Sequence, residues 1–305
     1  MMVSDSWPLI CFSVLMQMSV GCFIISEFIC LTYSRRFSSA GLRLLRLLSR
    51  FLVLVLSLLA VALSFFHLGK PWRAFGILNN LGSSWLSREI ICILVFILFV
   101  AVGTILEWRK VRGQIIQQVL FLTGGLSGLF IVISMFRLYM LPTVPGWNHF
   151  ATPSIFLLAC FLLGGQLTAV SWTAYLDKSK NLLLQEIRTY WNQKTLGQVE
   201  NLSLVLTVFI ILVNALLFIQ SGSFSQSDEA VLRPVFQNNA VVLVIRILLS
   251  LWGLLILARG WIPFRLFPDK KQSNHRYVYF AFLVLFLAEV LGRTLFYAVY
   301  FRLGI

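Results

Sequence analysis

Eight runs of mostly apolar residues succeed one another along the chain, over about residues 7–33, 46–68, 85–106, 115–140, 152–176, 200–220, 238–258 and 277–300. A bilayer core takes ~20 such residues per α-helix. Each run is too long and too continuous for the alternating strands of a membrane barrel. The pattern predicts an all-α integral membrane protein with eight transmembrane helices. The first run has no basic segment before it and no small-residue cleavage site, so it reads as a retained helix rather than a signal peptide. The Arg35-Arg36 pair follows that helix and is therefore no twin-arginine export signal.

The polar gaps between runs set the organisation. No connection is longer than about 25 residues, and a loop below ~40 residues rarely folds alone. That leaves no room for a soluble catalytic domain, and residues 1–305 read as a single membrane domain without a convincing internal repeat. Residues 182–191 place Leu183, Ile187 and Trp191 four apart, with Gln185, Glu186 and Arg188 off that line. This spacing predicts a short interfacial helix.

Composition sharpens the class. The chain is 59% hydrophobic and only 12% charged, against about 25% charged in soluble domains. A water-soluble enzyme is excluded. The net charge of +14 does not point to nucleic acid, because the cations fall in short gaps between apolar runs rather than on one solvated face. Sixteen Lys and Arg follow helices 1, 3, 5 and 7, whereas only Lys70, Arg73, Arg88, Arg233 and Arg302 lie on the opposite side. By the positive-inside rule both termini face the outer, periplasmic side, together with loops 69–84, 141–151 and 221–237. The five cysteines all sit in apolar runs without a CxxC or Cys/His ladder, so they read as small buried hydrophobes rather than zinc or iron–sulfur ligands. No nucleotide-binding or zinc-hydrolase motif occurs.

Ionisable residues inside lipid cost ~2.5–3.5 kcal/mol on insertion scales and mark candidate sites. They are Glu27, His67, Glu89, Arg137, Arg246, Glu289 and Arg293. The expected topology brings His67, Glu89, Arg137 and Arg293, from four helices, toward the outer half of the bilayer. Bland readings stand beside this one. Glu289 and Arg293 have the i,i+4 order of an intrahelical pair; Arg137 can snorkel; Glu89 suits a helix N-terminus; Glu27 and Arg246 read as packing partners. His67 titrates near neutrality in ordinary surroundings, which suits proton transfer. The stretch His67-Leu68-Gly69-Lys70-Pro71-Trp72-Arg73-Ala74-Phe75 then stops the helix and sets cations and aromatics at the interface. Three histidines at unmatched depths give little scope for a bis-histidine haem, so no haem is expected.

The block from His67 to Ile90, including Trp85-Leu86-Ser87-Arg88-Glu89-Ile90, resembles the membrane-anchor subunit of bacterial dimethyl sulfoxide reductase. Two further stretches match that family: Arg137-Leu138-Tyr139 through Thr143-Val144-Pro145-Gly146-Trp147-Asn148, and Leu291-Gly292-Arg293-Thr294-Leu295-Phe296-Tyr297. The resemblance implies a haem-free anchor of the bacterial inner membrane that binds and oxidises menaquinol to menaquinone. It would pass electrons to an iron–sulfur subunit, which serves a molybdopterin catalytic subunit, both docked on the outer face. It has no complete enzymatic activity alone and no iron–sulfur cluster of its own. His67 and Glu89 match the family residues tied to quinol handling, and Arg73 matches as well. With them, Lys70 and Arg137 suit polarisation of the ring oxygens, Trp72, Phe75 and Trp85 suit the head-group walls, and Arg293 joins the converging set. Two alternatives come from other classes: an ion- or solute-translocating subunit using Glu27, Arg246 and Glu289, and a passive anchor without a quinol site.

Overall fold

A computed structural model describes residues 7–67, 81–111, 113–144, 147–221, 239–266 and 275–298, the side chains of 67, 217–221 and 260–266 excepted. Eight helices among them are long and apolar enough to cross a membrane, and no strand occurs among the described residues. They are α1 (Trp7–Thr32), α2 (Ser39–Ser64), α3 (Trp85–Trp108), α4 (Gln114–Tyr139), α5 (Ala151–Lys178), α6 (Leu196–Ser221), α7 (Ala240–Leu266) and α8 (Arg276–Ala298).

Two differences from the sequence reading have clear causes. Helix α2 starts at Ser39 rather than near 46, because the Ser38 hydroxyl accepts the Gly41 amide at 3.2 Å and caps it. Arg43 and Arg46 are thus helical residues rather than loop charges, on one face with Arg50. The 182–195 segment is not a free interfacial helix. A 3-10 turn (Leu182–Leu184), a short helix (Gln185–Tyr190) and a π turn (Trp191–Thr195) run directly into α6. Its buried line is Leu184, Ile187 and Trp191, while Leu183 is exposed. Trp191 packs on Trp172 of α5 with ring centroids 5.0 Å apart and donates to the Thr173 hydroxyl at 3.0 Å. Protein, not lipid, covers the apolar face.

The helices form two similarly connected groups. α1–α2, α2–α3, α3–α4 and α4–α1 pack as one ring, and α5–α6, α6–α7, α7–α8 and α8–α5 pack as a second. No repeat is visible in the sequence, yet the neighbour pattern recurs. The groups meet where α1 crosses α5. Gly21 and Gly164, each near the middle of its helix, bring the two backbones into direct apposition. A Cβ on Gly21 would collide with the Cys160 carbonyl, and one on Gly164 with the Gly21 backbone. Small residues at such crossings let membrane helices approach closely.

Large apolar side chains stay outside as readily as inside. α2 turns Leu45, Ser49, Val53, Ser57 and Ala60 inward and leaves Phe51, Val55, Leu58 and Leu59 exposed. With lipid outside, apolar side chains gain nothing by hiding from it, so the interior collects small and hydrogen-bonding residues. The buried indole of Trp172 donating to Ser49 at 2.8 Å is one such tie.

Candidate functional site

The order of the helix ends fixes which residues meet. At one end of the bundle, Arg43 and Arg46 at the start of α2 reach Glu107 at the end of α3, through its carbonyl at 3.4 Å and its carboxylate at 3.2 Å. The end of α2 and the start of α3 therefore share the opposite end. There α2 closes with the turn Phe65–His67, and Phe66 lies 5.9 Å from Trp7 at the start of α1. His67 thus ends its helix on the same side as Glu89. Its imidazole, and Lys70, Trp72, Arg73 and Phe75, lie outside the described residues.

Ser84 caps α3 by accepting the Ser87 amide at 3.3 Å. The helix restarts with Trp85, and a rise of ~1.5 Å per residue sets Glu89 about 6 Å deeper. Glu89 is 3% exposed. Trp85 is half-buried beneath two cations: the Arg88 guanidinium at 4.5 Å and the Arg137 guanidinium at 5.8 Å from its ring centre. Arg88 also donates to the Leu81 and Gly82 carbonyls at 3.0 and 2.6 Å, which pins the chain entering α3. Arg137 stands exposed in the last turn of α4, where a cation suits the helix dipole. Glu89, Trp85 and Arg137 therefore share one end of the α3–α4 pair.

Arg293 sits further in. It is 2% exposed, donates to the Gln17 side chain at 2.7 Å and lies 3.6 Å from the Phe156 ring centre. It makes no ion pair with Glu289. The i,i+4 spacing is overridden because Glu289 faces Arg246 of α7, at 3.9 Å. Between Arg293 and the bundle end lies an aromatic cluster that sequence pattern alone does not single out. The Tyr139 and Tyr297 hydroxyls are 2.8 Å apart, Trp147 stacks on Phe296, and the Trp147 indole donates to the Phe296 carbonyl at 2.7 Å. Both tyrosines close family-like stretches, Arg137-Leu138-Tyr139 and the 291–297 segment. An aromatic at each helix end is the signal that marks them.

The buried carboxylates differ in company. Glu27 receives Arg50 at 2.6 Å, Glu107 receives Arg46, Glu289 faces Arg246, and Glu200 accepts from the Tyr277 hydroxyl at 3.0 Å. Glu89 has no ion-pair or hydrogen-bond partner among the described residues. The remaining histidines are engaged locally. His149 Nδ1 accepts the Ala151 amide at 3.3 Å, and His275 Nδ1 meets Asp177 at 2.6 Å. No group of three or more His, Cys, Asp or Glu stands close enough to hold a metal among the described residues.

Comparison with known proteins places this arrangement. The model of the DMSO reductase anchor subunit (DmsC) family matches residues 2–299. The chain belongs to that family. It is 28% identical over 304 residues to the C subunit of anaerobic dimethyl sulfoxide reductase from Escherichia coli K12, covering 98% of this protein and 96% of that one. It is 27% identical over 302 residues to the anaerobic dimethyl sulfoxide reductase subunit YnfH of the same organism, with 98% and 96% covered. The C subunit of the Haemophilus influenzae reductase is 26% identical over 302 residues, with 97% and 95% covered. Family membership and eight candidate spans make this a multi-pass membrane protein, an anchor subunit of a dimethyl sulfoxide reductase-like complex.

Proposed function

We propose that this anchor subunit, a single membrane domain in the bacterial inner membrane with both termini outside, oxidises menaquinol at the end of the bundle bearing His67 and Glu89. The observation that carries the reading is Glu89: a carboxylate 3% exposed, one turn inside α3, without a counter-ion among the described residues. Four other buried carboxylates have partners that hold their protons or charge in place; this one is free to exchange a proton with a visitor.

Menaquinol releases two electrons and two protons on becoming menaquinone. Each departing proton needs an acceptor within hydrogen-bond reach. The neutral imidazole of His67 takes one and Glu89 takes the other, both passing on to water at the bundle end. Arg137, with Lys70 and Arg73, stabilises the developing quinolate oxygen, and Trp85 and Trp72 flank the ring. Arg293 acts behind them as a positioning residue, holding Gln17 and Phe156. The electrons go to an iron–sulfur cluster of a partner subunit docked over the same outer end, and from there to a molybdopterin subunit. In this division of labour the anchor handles hydrogen and passes electrons outward.

The test is turnover in the assembled complex. His67→Ala and Glu89→Gln should each abolish quinol-driven reduction of the terminal acceptor while reduction by an artificial dye donor continues. Undiminished quinol turnover in both variants would remove the assignment. Loss of dye-driven activity as well would mean that assembly, not the quinol step, had failed, and antibody or mass measurement of complex composition separates the two.

A further inference from the structure

At the bundle end opposite Glu89, a cavity of about 220 Å³ opens between the ends of α1 and α3 and the starts of α2 and α4. Four cations line it: Arg35, Arg43, Arg46 and Lys110. Arg46 is neutralised by Glu27 at 3.6 Å and Glu107 at 3.2 Å. Arg35, Arg43 and Lys110 have no carboxylate within 4 Å among the described residues, so the wall carries a surplus of positive charge. The N-terminus of α4 adds to it. Gly113 caps that helix without a side-chain acceptor and, with Gln114, lines the same space. Amides at a helix start favour an anion. The one carboxylate in the wall, Glu107, is committed to Arg46.

The rim is of another character. Val111 lines the opening and is exposed, and its neighbours on the same two helix ends, Trp108, Ile115 and Ile116, are exposed as well, Trp108 and Ile115 by more than 70%. Exposed aliphatic side chains beside a tryptophan at a helix end are what meets acyl chains and head groups at a membrane interface. A basic chamber with an apolar lip matches a molecule that is anionic at one end and hydrocarbon at the other. The space holds several waters, and with them a phosphate and part of its glycerol.

We propose that this cavity binds the phosphodiester head group of an anionic phospholipid, held by Arg43, Lys110 and Arg35 and the start of α4. The site is independent of the quinol reading, lying at the other end of the bundle. Basic pockets between membrane helices take such head groups in general. The lipid seals the gap between α2 and α4 that the protein's own side chains leave open.

The experiment uses the purified complex, stripped of lipid in detergent. Phosphatidylglycerol or cardiolipin, phosphatidylethanolamine, and inorganic phosphate are added separately, with bound lipid read by native mass spectrometry and stability by thermal shift. Anionic lipid should bind and raise the melting midpoint, whereas the zwitterionic lipid and phosphate should not. Arg43→Gln with Lys110→Gln should weaken anionic lipid binding at least tenfold. Lys178→Gln with Lys180→Gln removes the same charge from positions elsewhere on the surface and should change it less than twofold. Equal weakening by both pairs would show diffuse attraction and overturn the site. A matching shift with phosphate alone would make it a free-anion site and overturn the lipid assignment. Should the first pair fail to fold, Lys110→Gln alone, at an exposed residue, should still weaken binding about threefold, and no change there would equally sink the proposal.

Discussion

The first four helices and the last four each bury an arginine against a glutamate from a neighbouring helix, but they treat it differently. In the first group Arg50 is held on three sides: Glu27 at 2.6 Å, the Gly103 carbonyl at 2.7 Å and Gln117 at 2.7 Å. The two atoms there that lack hydrogen bonds, Glu27 Oε2 and Arg46 Nε, belong to groups facing each other across 3.6 Å. In the second group Arg246 donates to Asn214 at 2.7 Å, stands 3.9 Å from Glu289, and leaves two of its nitrogens without a hydrogen-bond partner. Nearby Arg293, Gln17 and Gln166 also carry unpartnered polar atoms. Buried groups of this kind are ordinarily satisfied by protein or ordered water. The contrast teaches that an arginine in a membrane core is either a staple saturated by its neighbours or a loosely held cation, and helix pattern alone does not say which.

The sharpest way to break the comparison is to remove the staple. Arg50→Ala leaves Glu27 buried opposite only the more distant Arg46, and taking one partner from a buried pair costs ~3–5 kcal/mol. Detergent-denaturation midpoints of the complex should fall accordingly, with less protein recovered from membranes. An intermediate effect tests how firmly each arginine is held. A Cβ on Gly103 would come 2.8 Å from the Arg50 guanidinium, and one on Gly292 would come 2.6 Å from that of Arg246. The intrusions match, but only Arg50 is pinned. Gly103→Ala should cost ~1–3 kcal/mol from overpacking. Gly292→Ala should be near neutral, because Arg246 yields and the helix gains ~0.5–1 kcal/mol of propensity. Equal losses on thermal melting would erase the distinction. A loss smaller than that of Arg50→Ala is expected for Glu289→Gln, because the 3.9 Å contact carries no hydrogen bond and Arg246 keeps its contact to Asn214. A loss as large as that of Arg50→Ala would show that the second cluster is a staple too.

Much of this architecture is legible along the sequence. Eight spans follow from apolar runs that lipid demands, and the position of Glu89 follows from a helix restart at Ser84-Trp85. What escapes such a reading is decided between helices. Arg50 sits inside an apolar run that masks it; with Arg43 and Arg46 it makes a 43–46–50 helical stripe whose acids come from α1 and α3. Glu289 and Arg293 have ideal spacing for each other, yet Arg246 and Gln17 approach from other helices and take them separately. The Tyr139–Tyr297 contact joins residues 158 apart in sequence, a closure that no local period encodes.

The Gly21–Gly164 crossing bears on motion. A carrier that rocks its halves about a central binding site needs a seam that can open and close. At the middle of the seam main chain lies on main chain, with no side chain between to slide or swing. Such a joint behaves as a rivet. A subunit joined this way keeps its two four-helix groups in register as one piece rather than as two moving halves.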